Sequence, residues 1–233
     1  MTRFQLGDVI SYLEICNAEG MNLQRGMNFR PRGRTSIFLM NVSKNAPYSD
    51  RVEDEGKVLI YEGHNAPKQG GIKDPKRIDQ ELTTPTGRLT QNGLFFNAVK
   101  DYSNKKQKPE IVKVYEKLKP GIWVFNGLFR LTDAWQESSR NRKVYKFRLE
   151  IEDTVREKPF GIKVDLKHAR LIPTSIKLEI WKRDNGKCVI CGSIDNLHFD
   201  HIIPYSKGGS SLVAKNIQLL CARHNLQKHD RIV

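Results

Sequence analysis

The chain has 233 residues, with 40 Lys and Arg against 26 Asp and Glu, a formal net charge of +14 and a pI near 9.7. That length accommodates one large domain or two small ones, two being expected, and the positive excess favours a polyanionic partner, nucleic acid above all. A disordered acidic tail is excluded, no stretch approaches the roughly 18 apolar residues of a membrane span, and Met1-Thr2-Arg3 opens onto no apolar signal core, so a soluble protein of the prokaryotic cytoplasm is the expectation.

In chain order, Phe4 to about Asn22 reads as a short helix and a Gly-bearing turn, with Cys16 a small buried hydrophobe of no assigned role. Strand-like runs follow at Thr35–Met40, Val58–Tyr61, Ile111–Tyr115, Ile122–Phe125 and Val144–Leu149, each β-branched or aromatic and bounded by Gly, Pro, Asn or Asp. Many strands and few helices predict a twisted sheet or barrel. Gly63–Asp79, rich in Gly, Pro, Lys and Asp, lacks periodicity and reads as a long loop of the kind that is often functional. Strand alternation is lost again after Thr154, which places a basic connector at 154–172 between a domain at 1–153 and a second at 173–233. Within the second, Ser175–Arg183 reads as a helix with Ser175 as candidate N-cap. Residues 1–153 hold 26 basic and 19 acidic side chains and residues 154–233 hold 14 and 7. Each part is therefore net positive by the same amount, and the smaller has about twice the charge density, as a module gripping phosphates would.

Three of the four cysteines fall near the C-terminus, in Cys188-Val-Ile-Cys191 and Cys221-Ala-Arg-His224, with 29 residues between Cys191 and Cys221. Two knuckles of this spacing turn four donors toward one tetrahedral ion, and a Cys3His set with every position filled suits structural Zn²⁺ rather than a disulfide framework. A chance gathering of buried thiols is the alternative.

Between and after the knuckles stand Asp200-His201-Ile-Ile-Pro204-Tyr-Ser-Lys-Gly208-Gly209, Asn216-Ile-Gln-Leu-Leu220 and Asn225-Leu-Gln-Lys228. From about Ile180 to Lys228 this order, type and spacing resembles the HNH, or ββα-metal, nuclease family. The resemblance implies a catalytic set of Asp200, His201, Asn216 and Asn225. His201 would be the general base, Asp200 and Asn225 the ligands of a divalent ion, Mg²⁺ or Mn²⁺, and Asn216 the anchor of the His201 loop, with Arg223 or Lys228 on phosphate. Asn225 stands where the family name has its last His. His168, His198 and His229 receive no role.

The larger part, from about residue 20 to 152, resembles the SRA fold, a PUA-like barrel that reads modified cytosine by flipping it from the duplex. The resemblance rests on Val58-Leu-Ile-Tyr61-Glu-Gly63-His64, Asp79-Gln80, Asn92-Gly93, Phe125-Asn126-Gly127, Phe129-Arg-Leu131 and Val144–Leu149. The family's Tyr-Thr-Gly and Tyr-Asp-Gly stand here as Tyr61-Glu62-Gly63 and Phe125-Asn126-Gly127. An extruded base needs two stacking faces and a polar reader. The resemblance implies Tyr48 and Tyr61 for the faces and Asp50 for the reader, with Asp54 competing. Arg30, Arg32 and Arg34, with Lys68, Lys73 and Lys76 of the long loop, are the candidate DNA contacts. Tyr61 as core and the arginines as a solvated turn stay open as alternatives.

Together the two resemblances imply an α+β protein in which an SRA/PUA-like twisted β-barrel precedes a small zinc-stapled HNH domain. Its activity would be that of a modification-dependent restriction endonuclease acting on double-stranded DNA, with 5-methylcytosine or 5-hydroxymethylcytosine as the expected base. Because one HNH site cuts one strand, a homodimer or two molecules paired on DNA is expected. Alternatives are a reader of N6-methyladenine, a nuclease for unmodified DNA, and a non-catalytic zinc-stapled DNA clamp.

Overall fold

The computed structural model describes residues 4–41, 48–66, 74–139, 141–152, 156–157, 163–164, 171–204 and 207–228. A short strand β1 (Val9–Ser11) runs directly into helix α1 (Tyr12–Glu19). Ser11 and Glu14 form a reciprocal capping box, and Gly20 closes the helix at φ 68°. β2 (Met27–Asn28), β3 (Ser36–Met40), β4 (Arg51–Glu53) and β5 (Val58–Glu62) precede helix α2 (Gln91–Ser103). Three long strands follow, β6 (Glu110–Lys119), β7 (Ile122–Ser139) and β8 (Arg142–Ile151). These strands form one sheet in the order β2-β3-β6-β7-β8-β5-β4, with β1 paired to β7. β3 and β6 run parallel, and the other pairs are antiparallel.

Among the described residues the sheet is not closed between β2 and β4, where a barrel was expected, and α2 covers its interior. Helix α2 is absent from the sequence reading. It is capped by the Thr90 hydroxyl, which accepts from Gly93 N, and it buries Phe95, Ala98 and Val99. Phe95 and Val99 pack with Phe38, Tyr61, Phe129 and Phe147 in the main core. Gly93 is required there because a Cβ would run into the Leu82 carbonyl oxygen. β7 also exceeds its expected length, because Asn126 and Thr132 are bulge residues that let one 18-residue strand bend past two partners.

Two short strands, β9 (Arg156–Glu157) and β10 (Lys163–Val164), pair in the connector, most of which lies outside the described residues. Beyond it come helix α3 (Thr174–Arg183), the β11 (Leu197–His201) and β12 (Ile217–Cys221) hairpin, and helix α4 (Ala222–Lys228). The α3 N-cap is Pro173 rather than Ser175.

This C-terminal unit is docked on the large sheet. Leu118 and Val124 of the sheet join Ile172, Ile180, Phe199, Ile217 and Leu219 in one buried cluster, flanked by Val9, Ile122, Ile176 and Trp181. Each such apolar side chain contributes about 1.5–3 kcal/mol on burial. Phe199 N also donates to the Gly7 carbonyl at 3.1 Å, and His198 Nδ1 lies 2.8 Å from Asp8 Oδ1, so the N-terminal segment extends the edge of the C-terminal hairpin. At the centre of the junction Lys177, 1% exposed, donates to Glu116 Oε2 at 2.5 Å and to Asn126 Oδ1 at 2.7 Å. The Thr174 hydroxyl binds the other Glu116 oxygen.

Candidate functional site

β11 alternates, placing Leu197 and Phe199 in the core and His198 and Asp200 on the opposite, half-buried face. Asp200 and His201 end this strand opposite Gln218 and Ile217. His201 Nε2 lies 2.8 Å from the hydroxyl of buried Ser211. Burial lowers the His201 pKa, with Lys228 and His198 adding to the effect and Asp200 opposing it, which favours the neutral ring. Asn216 fastens the intervening loop: its Oδ1 accepts from Ile203 N at 2.8 Å, and its Nδ2 donates to the carbonyls of Ile203 at 3.0 Å and Ser210 at 3.2 Å. Gly209 permits this closure, since a Cβ there would collide with the Ile203 carbonyl and with Asn216 Nδ2.

Asn225 and Lys228 stand three residues apart on α4, hence on one helix face. Lys228 is 5% exposed and donates from Nζ to Asp200 Oδ2 at 2.9 Å and to the His201 carbonyl at 2.5 Å. It is therefore an internal brace of the Asp200-His201 pair, a correction to its expected place on phosphate. Asp200 Oδ1 takes no part in these bonds.

Next to this centre, the sulfurs of Cys188, Cys191 and Cys221 and a ring nitrogen of His224 all lie within 4.8 Å of one another. Burial raises the Cys188 thiol pKa, but backbone N–H groups of Cys221, Cys191 and Ile190 and the His224 side chain outweigh it and bring it to about 6. A Cys3His quartet with its donor atoms this close together fits a tetrahedral zinc ion.

In the large sheet, Tyr48, Asp50 and His64 gather beside β5. The Tyr48 and His64 rings are near-parallel, 25° apart with centroids separated by 6.0 Å. Asp50 Oδ1 accepts from Glu62 N at 2.9 Å and Oδ2 from Asn41 N at 3.4 Å. Burial pushes its pKa up to about 7 against those bonds and the Lys146 charge. Glu62, 2% exposed, is held by Lys146 Nζ at 2.9 Å, Arg142 Nη2 at 3.1 Å and Ser49 N at 3.1 Å. Tyr61 does not face this space as a free plate. It is 1% exposed, its ring lies 4.3 Å from that of Phe38, and its hydroxyl donates to the Leu39 carbonyl at 3.2 Å. Asp54, the alternative reader, lies in a 3-10 turn and pairs loosely with Lys57.

Asp50 has a measurable signature. Its folded pKa exceeds the ordinary 3.8, so its contribution to stability falls as pH rises from about 4 through about 7. Asp50→Asn, which does not titrate, is expected to gain a few degrees in Tm relative to wild type between pH 5 and pH 8. A difference that stays flat across that range would show an ordinary carboxylate.

Residues 3–154 match the model of the SAD/SRA domain family. The chain belongs to that family. Residues 188–231 match the HNH endonuclease model, so the C-terminal unit is an HNH domain and the chain is a metal-dependent DNA endonuclease. Among solved structures, the SUVH5 SRA complex with hemi-methylated CG DNA is 27% identical with a TM-score of 0.45, over 68% of this chain and 96% of that one. The modification-dependent TagI restriction endonuclease is 18% identical with a TM-score of 0.42, over 96% and 76%. No curated protein matches the chain.

The SRA domain tethers each arginine of its basic cluster at one end. Arg30 Nε donates to Glu110 Oε2 at 2.9 Å, and Ser36 Oγ holds the other oxygen at 2.7 Å. Arg32 donates to the Gly20 carbonyl at 2.7 Å and Arg34 to that of Glu19 at 2.9 Å, satisfying the C-terminal end of α1. All three arginines remain exposed, so the cluster is tethered to the domain and still faces solvent. Lys76 is exposed in a 3-10 turn near the end of the long loop, while Lys68 and Lys73 lie outside the described residues. In the HNH domain Arg223 is exposed beside the quartet, 3.3 Å from His224 Nε2. His198 proves to be part of the domain junction, and His168 and His229 lie outside the described residues. No helix among the described residues is long and apolar enough to cross a membrane.

Proposed function

We propose that this protein is a modification-dependent restriction endonuclease. Its SRA domain takes a flipped modified base, 5-methylcytosine or 5-hydroxymethylcytosine, beside Tyr48 and Asp50, and its HNH domain hydrolyses a phosphodiester nearby. The observation that carries this reading is the joining of an SRA domain and an HNH domain through one buried core. The HNH hairpin has few groups that could read sequence, so a docked reader supplies the selectivity that the cutter lacks.

In the proposed reaction His201 donates Nε2–H to Ser211 and takes a proton at Nδ1 from a water whose oxygen attacks phosphorus. The new O–P bond forms as the bond to the leaving 3′ oxygen breaks. Asp200, through Oδ1, and Asn225 would hold a divalent ion, Mg²⁺ or Mn²⁺, whose chemistry is to neutralise the leaving oxygen. Asn216 keeps the His201 loop in register, and Lys228 fixes Asp200 and the His201 backbone. Cys188, Cys191, Cys221 and His224 would hold structural Zn²⁺, which replaces the large core this small domain lacks. Arg30, Arg32, Arg34, Lys76 and Arg223 are exposed cations that would meet phosphate. Cutting both strands calls for two such chains on one duplex.

The test is cleavage of one plasmid prepared unmodified, with 5-methylcytosine, with 5-hydroxymethylcytosine and with N6-methyladenine. Cutting confined to a cytosine modification is expected. Cutting confined to N6-methyladenine would reassign the base, and equal cutting of all four would remove the reader.

A further inference from the structure

Beside β5 two rings lie near-parallel, and only one of them belongs to the pair that the SRA resemblance implies. Tyr61 is spent in the core, packed on Phe38 and bonded to the Leu39 carbonyl. The ring that faces Tyr48 is that of His64, three residues further along the chain. A planar base between two rings makes two van der Waals contacts of about 3.5 Å, so it requires a spacing of about 7 Å. The Tyr48–His64 pair, at 6.0 Å between centroids, must part by at least about 1 Å to admit a base.

His64 is also the better-anchored of the two rings. Its Nε2 accepts from Met27 N at 2.9 Å, which leaves the proton on Nδ1. Its backbone is clamped at both groups by Asn92 of α2: His64 N donates to Asn92 Oδ1 at 2.8 Å, and Asn92 Nδ2 donates to the His64 carbonyl at 2.9 Å. Asn92 is itself 2% exposed. Two glycines make room for this arrangement. A Cβ at Gly26 would meet the Tyr61 hydroxyl at 2.5 Å and His64 Nε2 at 3.0 Å, and one at Gly63 would meet both Asn92 Oδ1 and Gln80 Oε1 at 2.7 Å. Burial lowers the His64 pKa to about 4, so the ring is neutral at working pH and stacks without placing a buried charge against the base.

We infer that His64, opposite Tyr48, is the second plate of the flipped-base pocket and a specificity-determining residue, with Tyr61 serving the core behind it. The inference rests on the base-flipping reading above. Nδ1–H, the ring's polar group that the bond to Met27 leaves unused, would then lie at the rim of the pocket, where it can donate to an acceptor on the base or its phosphate.

The experiment measures affinity of the full chain, in a His201→Ala background that leaves DNA intact, for duplexes that carry no modification, 5-methylcytosine, 5-hydroxymethylcytosine or N6-methyladenine. The variants are His64→Phe, which keeps a ring, His64→Gln, which keeps an acceptor for Met27 N but no ring, and Tyr61→Leu, with Tyr48→Ala as the reference plate. His64→Gln is expected to lose roughly tenfold or more of the preference for the modified duplex, as Tyr48→Ala does, consistent with the 1–3 kcal/mol per stacked base seen on aromatic removal. His64→Phe should keep the preference within about threefold, and Tyr61→Leu should lower Tm while keeping it. Preference retained in His64→Gln but lost in Tyr48→Ala would overturn the assignment of His64 and leave the reader standing. Preference lost in Tyr61→Leu at unchanged Tm would return the second plate to Tyr61. A wild-type chain with no preference for any modified duplex would instead overturn the base-flipping reading itself.

Discussion

His201→Ala should lower the rate of DNA cleavage by about 10²–10⁴-fold, the typical range for loss of a general acid–base group, while duplex affinity and Tm stay close to wild type. The expectation follows from where the side chain sits. Nε2 is given to Ser211, the backbone carbonyl to Lys228, and neither bond holds the main core together. Removing the ring therefore takes away a proton acceptor without opening a large cavity. Single-turnover cleavage of a labelled modified duplex, run beside a binding titration, separates the two effects. Weakened binding in step with the loss of rate would place His201 in DNA recognition instead, and an unchanged rate would support a non-catalytic clamp.

Lys177→Ala is the substitution with the largest expected cost to stability. Lys177 and Glu116 are 1% and 0% exposed, and the pair lies between α3 and β6 with Asn126 and Thr174 completing its hydrogen bonds. Burial lowers the Lys177 pKa while the Glu116 charge opposes that shift, so the ammonium survives only with its partner in place. Removing one member of a buried pair strands the other charge, at a cost of about 3–5 kcal/mol. For a chain of this size that corresponds to a fall in Tm on the order of 10 °C. Glu116→Gln combined with Lys177→Met removes both charges and should recover much of the loss. Calorimetry can tell the mechanism apart from general damage, because loosening of the junction splits one unfolding transition into two. A Tm within a degree of wild type in Lys177→Ala would show that the pair contributes nothing.

The two halves of the molecule were legible in the sequence to different depths. The zinc quartet and the Asp200-His201 motif could be read because their spacing is local, and a knuckle or a hairpin end needs only a few residues to define it. Most sheet strands could be read because β-branched runs stand between turn residues. The bulges in β7 could not, since Asn126 and Gly127 look like the end of a strand while they bend one that continues. Helix α2 was hidden by the Asn92-Gly93 pair, which suits a turn until one sees the Leu82 carbonyl that demands the glycine. β5 is buried along its whole length, so alternation says nothing about which way Tyr61 points, and the near-parallel facing of His64 on Tyr48 emerges only in three dimensions. Lys177, Lys146 and Lys228 carry the same lesson. Each has the composition of a surface cation and finds its acid far along the chain, 61, 84 and 28 residues away for Glu116, Glu62 and Asp200.

A basic connector between a reader and a cutter invites the picture of a blade on a leash, whose reach is a distribution set by linker length. The shared interior of Leu118, Val124, Ile180, Phe199 and Leu219 describes a different instrument. The jaw that holds the base and the edge that cuts are parts of one casting. On the proposed function, the number of nucleotides from mark to nick would be a dimension of the protein, like the gap of a caliper, and mutations that repack the junction would recalibrate it without touching either site.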